Sequence, residues 1–208
     1  MPKTEVVRVD EPEALDRAVS ILRGGGLIGI PTDTVYGLAA SAWNGAAVKQ
    51  LYEVKGRNEH KSVPVLISGA SAIDEVATEP LERIQELAEG FWPGPLTLVV
   101  YRRSELPTEI SAADTVGIRA PDHEFTLALL RKVGPLAATS ANLSGQPSAT
   151  TVAQVIERLG GKVDLVIDGG ETPGGVPSSV VDLTVNPPAL LREGPVAIEA
   201  VLKLWADH

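Results

Sequence analysis

Hydrophobic positions along the chain follow two spacings. Ala14, Leu15, Ala18, Val19 and Leu22 share one face at helical spacing, Pro12 falls in the first turn, and Gly24-Gly25-Gly26 stops the run, which predicts a helix over 12–23. The same spacing recurs after Asn44 (Ala47, Val48, Leu51, Val54), after Pro80 (Leu81, Ile84, Leu87, Ala88), around Phe125 to Leu130, and from Thr151 to Leu159. Short apolar runs bounded by Gly, Pro or Asp lie between them. These predict strands at Val6 to Val9, Leu27 to Ile30, Val63 to Ser68, Leu96 to Tyr101, Thr115 to Arg119, Leu136 to Thr139, Val163 to Asp168, Ser179 to Leu183 and Ala189 to Arg192. Short strands alternating with helices specify an α/β protein, a partly parallel mixed sheet with helices packed on it. No linker, repeat or low-complexity tract divides residues 1–208, so a single domain is expected, with Gly90 to Pro95 and Gly169 to Pro177 as ordered loops.

Composition narrows the chemistry. The chain has 208 residues and no cysteine, which excludes thiol nucleophiles, disulfides and cysteine-ligated metal sites. Against 27 acidic residues stand 18 basic ones, a formal charge of -9. That balance argues against a broad footprint for nucleic acid or anionic membrane, but says nothing of one local pocket. Met1 to Glu5 lead straight into a strand-like run without the layout of a secretory signal, and no apolar stretch approaches the roughly 18 residues of a membrane span, so a soluble cytoplasmic protein is expected. The sequon Asn142-Leu143-Ser144 is accordingly read as chance.

Several motifs fail on context. Gly24-x-Gly26-x-x-Gly29 matches the dinucleotide fingerprint as a string, but a helix precedes it and a strand follows, the reverse of what places a pyrophosphate on a helix N-terminus. No phosphate loop ends in Gly-Lys-Ser/Thr, and His60, His123 and His208 lack metal-ligand spacing. No Gly-x-Ser-x-Gly elbow surrounds Ser140 or Ser144.

Four polar segments remain, each at the end of an apolar strand or helix, where open α/β sheets bind ligands. In Pro31-Thr32-Asp33-Thr34-Val35-Tyr36-Gly37, the hydroxyls either bind a small polar ligand or close a Ser/Thr turn. Lys55, Arg57 and Lys61 either complement a helix C-terminus or sit over the sheet edge. Arg119 ends a strand as an ion-pair member or a ligand clamp. Ala138 to Thr150 is dense in hydroxyl and amide groups that serve a ligand or the segment's own backbone. Ser178-Ser179 opens one further strand, and Leu191-Arg192-Glu193-Gly194 closes another.

Taken in order, Pro31-Thr32-Asp33-Thr34-Val35-Tyr36-Gly37-Leu38, Lys55-x-Arg57, Phe91-Trp92-Pro93-Gly94-Pro95-Leu96-Thr97, Ile118-Arg119-x-Pro121, Ser140-Ala141-Asn142-x-Ser144-Gly145 and Leu191-Arg192-x-Gly194 resemble the YrdC-type threonylcarbamoyl-AMP synthase family, over about residues 10 to 195. The resemblance implies a twisted mixed sheet curved around a deep, positively charged cavity, in a short form without an added C-terminal domain. It implies an enzyme, a nucleotidyltransferase that joins L-threonine, bicarbonate or carbon dioxide, and ATP with Mg²⁺ to give threonylcarbamoyladenylate and pyrophosphate. That product would feed the N6-threonylcarbamoyl modification of adenosine 37 in tRNAs reading ANN codons, through a downstream transferase complex and with little direct affinity for tRNA.

Position by position, the resemblance assigns Lys55, Arg57, Lys61, Thr115, Ser140, Asn142, Thr150 and Arg192 to the nucleotide, with Lys55 and Arg57 catalytic. It assigns Thr32, Arg119 and Ser178 to threonine, with Tyr36 a candidate to line the same cavity. The chain departs from the family pattern at Asn58, Ser62-Val63, Leu66 and Pro177, which bears on Lys61 and Ser178. Two other readings stay open: a noncatalytic RNA-binding module using the same concavity, and a paralogue making another carbamoyl or acyl adenylate.

Overall fold

The computed structural model describes residues 3–56, 62–78 and 81–206. Along the chain run β1 (Glu5–Arg8), α1 (Ala14–Arg23), β2 (Ile28–Ile30), β3 (Gly37–Ser41), α2 (Gly45–Lys55), β4 (Val65–Leu66), a 3₁₀ turn (Ala70–Glu75), α3 (Leu81–Phe91), β5 (Leu96–Tyr101) and β6 (Thr115–Arg119). They are followed by α4 (Glu124–Val133), β7 (Leu136–Ser140), α5 (Val152–Leu159), β8 (Leu165–Asp168), β9 (Ser179–Asp182), β10 (Ala189–Arg192) and α6 (Ile198–Ala206). All strands join one ten-stranded sheet in the order β1-β8-β2-β3-β7-β4-β6-β5-β9-β10. The sheet is mixed as expected. β8 lies parallel to both β1 and β2, and β6 is parallel to β4 but antiparallel to β5.

Side chains alternate across this sheet with period two, and the two faces are covered unequally. Leu38 and Ala40 of β3 enter one apolar cluster with residues of α2, α3, α5 and α6, while Ala39 enters a second with α1 and α4. The first cluster runs far along the sheet, taking Leu96, Leu98, Val100, Val116, Ile118 and Val181 from β5, β6 and β9. The second takes residues of β1, β8, β2, β3, β7 and β4 and none from β6, β5 or β9. On that face, therefore, α1 and α4 leave one half of the sheet without a helical cover. Alternation turns Thr115, Gly117 and Arg119 of β6, and Thr97 of β5, toward the uncovered half.

Local signals set the element ends. Asn44 caps α2 by accepting the Ala47 amide, and Gly56 ends it in the left-handed region at φ 57°. Thr151 caps α5 by accepting the Gln154 amide, while the Gln154 side chain accepts the Thr150 amide. The glycines after α1 stop that helix and lead into β2, with Gly25 at φ 82°, so the dinucleotide string is a helix terminator.

Three elements went unread. β3 is Gly-Leu-Ala-Ala-Ser, too small and too poor in β-branched residues to look like a strand. The 3₁₀ turn is short and lacks a distinctive period. α6 carried a legible signal, since Ile198, Val201 and Trp205 lie at helical spacing. Among the described residues no helix is long and apolar enough to cross a membrane.

Asn44→Ala is expected to destabilise the protein by about 1 kcal/mol, the usual worth of a side-chain cap, read as a lower urea midpoint at unchanged m-value.

Candidate active site

The uncovered half of the sheet holds a cavity of about 300 Å³, lined by residues of β4, β5, β6 and β7 and closed at its rims by the 32–37 and 177–178 segments and Arg192. Its floor is apolar at Leu66 and Ala138, and its walls carry the hydroxyls of Thr32, Thr34, Thr97, Thr139, Ser140 and Ser178. The charged side chains lining it, among the described residues, are Arg119 and Arg192.

Arg119 is buried, and acceptors from two separate chain segments satisfy it. Its Nε donates to the Gly94 carbonyl at 2.9 Å, Nη1 donates to Thr34 Oγ1 at 3.0 Å, and Nη2 donates to Asp33 Oδ1 in an ion pair. The Val35 carbonyl cannot donate, so the Thr32 hydroxyl must give its one hydrogen there, and the direction of the remaining bonds is fixed. The Thr34 hydroxyl, taking Arg119's hydrogen, gives its own to Thr32 Oγ1 at 3.0 Å, and Thr32 Oγ1 gives its hydrogen to the Val35 carbonyl at 2.6 Å. The amides of Thr34 and Val35 also point at Thr32 Oγ1, each at 3.2 Å. The Ser/Thr-turn reading thus describes Thr32. Its hydrogen is committed to the turn, so Thr32 shapes the cavity wall with no donor to spare for a ligand.

The loop before β5 explains how Gly94 reaches Arg119. The Gly94 amide donates to the Ala120 carbonyl, and a Cβ at this position would stand 2.5 Å from the Phe91 carbonyl oxygen, so only glycine lets the chain fold back here. Trp92 anchors the loop by donating from its indole to the Leu96 carbonyl at 2.7 Å.

Arg192 occupies the solvent-exposed rim. It donates from Nε to the Ser178 carbonyl at 2.9 Å and from Nη2 to Ser178 Oγ at 3.1 Å, and Ser178 Oγ shares a 2.8 Å hydrogen bond with Thr97 Oγ1. Gly194 permits this approach, because a Cβ there would overlap the Ser178–Ser179 backbone. Burial pulls the proton affinity of Arg119 down, Asp33 pushes it back up, and the like charge of Arg192 lowers it again. Desolvation lowers that of Arg192 as well. Two cations facing one cavity, the buried one answered by a single carboxylate and the other at the rim by none among the described residues, leave an electrostatic deficit that an anionic ligand would relieve.

The remaining candidates divide. Ser140 lines the cavity, and Lys55, buried at the end of α2, donates from Nζ to the Ser140 carbonyl, so its ammonium stands behind the lining. Asn142 adjoins it: its Nδ2 donates to the Leu143 and Gln146 carbonyls, and its Oδ1 is buried without a donor. Thr115 shares the face of Arg119 but lies at the opposite end of β6, about 13 Å along the strand. Thr150 directs its amide to Gln154 and lies outside the cavity lining. Tyr36 does not line the cavity. It is fully buried, its hydroxyl donates to the Gly170 carbonyl at 2.7 Å and accepts the Gly169 amide at 3.1 Å, and burial pushes its pKa up. Alternation along the 35–37 stretch explains this, since Val35 and Gly37 face the cavity. Arg57 and Lys61 lie outside the described residues. The residue reading passed over Asp33 and Thr97; the signal for Asp33 was its place between two threonines at a strand end, opposite no cation that sequence alone could name.

A mixed sheet with helices on both faces, and a guanidinium-and-hydroxyl cavity on its uncovered half, define the class as an α/β protein with an arginine-lined cavity. The chain belongs to the Sua5/YciO/YrdC family, described as "Telomere recombination", whose pattern matches residues 20–194. It is 43% identical to a threonylcarbamoyl-AMP synthase of Pyrococcus abyssi over 91% of this chain and 56% of that protein. It is 39% identical to the protein of that name in Bacillus subtilis, over 96% of this chain and 59% of the relative. The structure of P. abyssi Sua5 complexed with L-threonine superposes with a TM-score of 0.91 at 41% identity, covering 98% of this chain and 61% of that one. The chain thus spans about six-tenths of the length of these relatives.

Inorganic pyrophosphate is expected to raise the melting temperature of the wild-type protein. Arg192→Ala should lose most of that rise, because it removes the cation that no carboxylate balances among the described residues.

Proposed function

We propose that this protein is a threonylcarbamoyl-AMP synthase, which condenses L-threonine, bicarbonate or carbon dioxide, and ATP into threonylcarbamoyladenylate and pyrophosphate. One observation carries this reading: a desolvated arginine held as a fixed fork in a hydroxyl-lined cavity, with a second arginine across from it. Family membership, and the relatives' name, supply the substrates.

In the reaction the threonine amine bonds to the carbon of carbon dioxide with loss of a proton from nitrogen, or to that of bicarbonate with loss of water, to form a carbamate. A carbamate oxygen then bonds to the α-phosphorus of ATP as the bond from that phosphorus to pyrophosphate breaks. No covalent step falls to the protein. Its work is to hold three anionic groups together and stabilise the charge that builds on the phosphoryl oxygens. Arg119, rigidly oriented, suits the threonine carboxylate, with the methyl face of the Thr32 turn and Leu66 beside it. Arg192 and the Lys55, Arg57 and Lys61 segment are assigned to the phosphates, and Ser140 with Asn142 to the rest of the nucleotide, while Thr115, at the far end of β6, and Thr150, outside the cavity lining, are left out of that set. The buried Asn142 Oδ1 has room in its valence for a donor.

Magnesium belongs to the nucleotide in this scheme. The substrate is MgATP, and the ion arrives on its phosphates. The adenylate would pass to a transferase that modifies tRNA. The -9 charge of the chain accords with a protein that leaves tRNA binding to that partner.

The test is pyrophosphate release from ATP, which is expected only when threonine and bicarbonate are both present. Release indifferent to either co-substrate overturns the proposal. Lys55→Ala and Arg57→Ala are each expected to lower kcat/KM by about 100-fold or more while leaving the fold intact by circular dichroism.

A further inference from the structure

Asp33 stands outside the set of residues that contact the cavity, yet it shapes the charge inside it. Its side chain is 13% exposed, and the Arg119 side chain it pairs with is 8% exposed, so little water screens the contact. The same oxygen, Oδ1, accepts the Asp122 amide at 3.1 Å, which fixes the carboxylate to the start of the segment after β6. Asp33 therefore does not swing. Around Arg119 the donor arithmetic is definite. Of five guanidinium hydrogens, three go to Gly94, Thr34 and Asp33, and each terminal nitrogen keeps one more. Two remaining N–H groups in one plane suit a carboxylate.

Two consequences of Asp33 oppose each other. As an acceptor it helps fix the plane of the fork. As an anion it cancels the charge of Arg119 before any ligand arrives, and it repels a second carboxylate brought to the same guanidinium.

We propose that Asp33 is a positioning residue whose hydrogen bond orients Arg119 for the threonine carboxylate, while its charge restrains the affinity of that site. The inference rests on the threonine reading above. A protein that must release its adenylate product gains from such restraint, because uniformly tight ground-state binding does not speed turnover. Asparagine keeps the acceptor and removes the charge; alanine removes both. The two substitutions should then act in opposite directions.

L-Threonine binding to the full chain is measured by calorimetry and by threonine-induced change in melting temperature. Asp33→Asn is expected to melt lower than wild type without ligand, to bind threonine as tightly or more tightly, and to show the larger threonine-induced rise. Asp33→Ala is expected to weaken threonine binding by about tenfold, through loss of the fork's orientation. Weakening of Asp33→Asn by as much as Asp33→Ala overturns the proposal, since the negative charge would then itself be holding the substrate. Wild-type affinity in Asp33→Ala overturns it too. If Asp33→Ala does not fold, the sign of the Asp33→Asn effect decides alone. A wild-type protein that binds no threonine overturns the substrate reading and this proposal with it, an outcome distinct from wild-type binding followed by equal loss in both variants.

Discussion

A single buried guanidinium organises the functional half of this molecule. Arg119 ends β6 on the half of the sheet face that α1 and α4 leave uncovered, and a cation there is tolerated only if its donors are satisfied and its charge answered. That requirement draws in the loop before β5 through Gly94, and the turn after β2 through Asp33 and Thr34. Each of those segments is built for the task. Gly94 admits a fold-back that a Cβ would block, and Thr32 ties the turn to itself so that Thr34 presents its oxygen to the arginine.

The unequal covering of the sheet is the architectural counterpart of that chemistry. One continuous apolar layer backs the strands from β3 to β9 and supplies the burial that stabilises the sheet. With that face secured, the opposite half near β6 and β5 is left open, and its floor of small and branched apolar residues forms a concave site with polar walls. Arg192 arrives from the edge strand β10, where solvent access leaves room for a charge that the interior would not accept. An acidic chain thus keeps a cationic cavity, because charge is distributed by position rather than by composition.

The legible and illegible parts separate along physical lines. Helices with a strong amphipathic period, such as α1, α3 and α5, were readable because their burial pattern is local. β3 was not, since alanines in a strand owe their state to neighbours on both sides. At the site, Arg119, Arg192, Ser140 and Ser178 were readable from their strand-end positions and from family motifs. Tyr36 was misplaced by the same reading. A motif string cannot say which of two faces a side chain takes, and alternation turns Tyr36 toward the Gly169–Gly170 backbone.

By itself, then, the sequence determined what local interactions determine: where helices start and stop, which runs become strands, the mixed α/β class, and the presence of an arginine where a strand meets a loop. The tertiary structure decided which partners that arginine meets. Gly94, Thr34 and Asp33 lie 25, 85 and 86 residues from Arg119 along the chain, and only the strand order brings them to one guanidinium. Hydrogen bonding at such a site is a nonlocal choice, settled by which backbone segments the sheet sets side by side and which face each side chain is given.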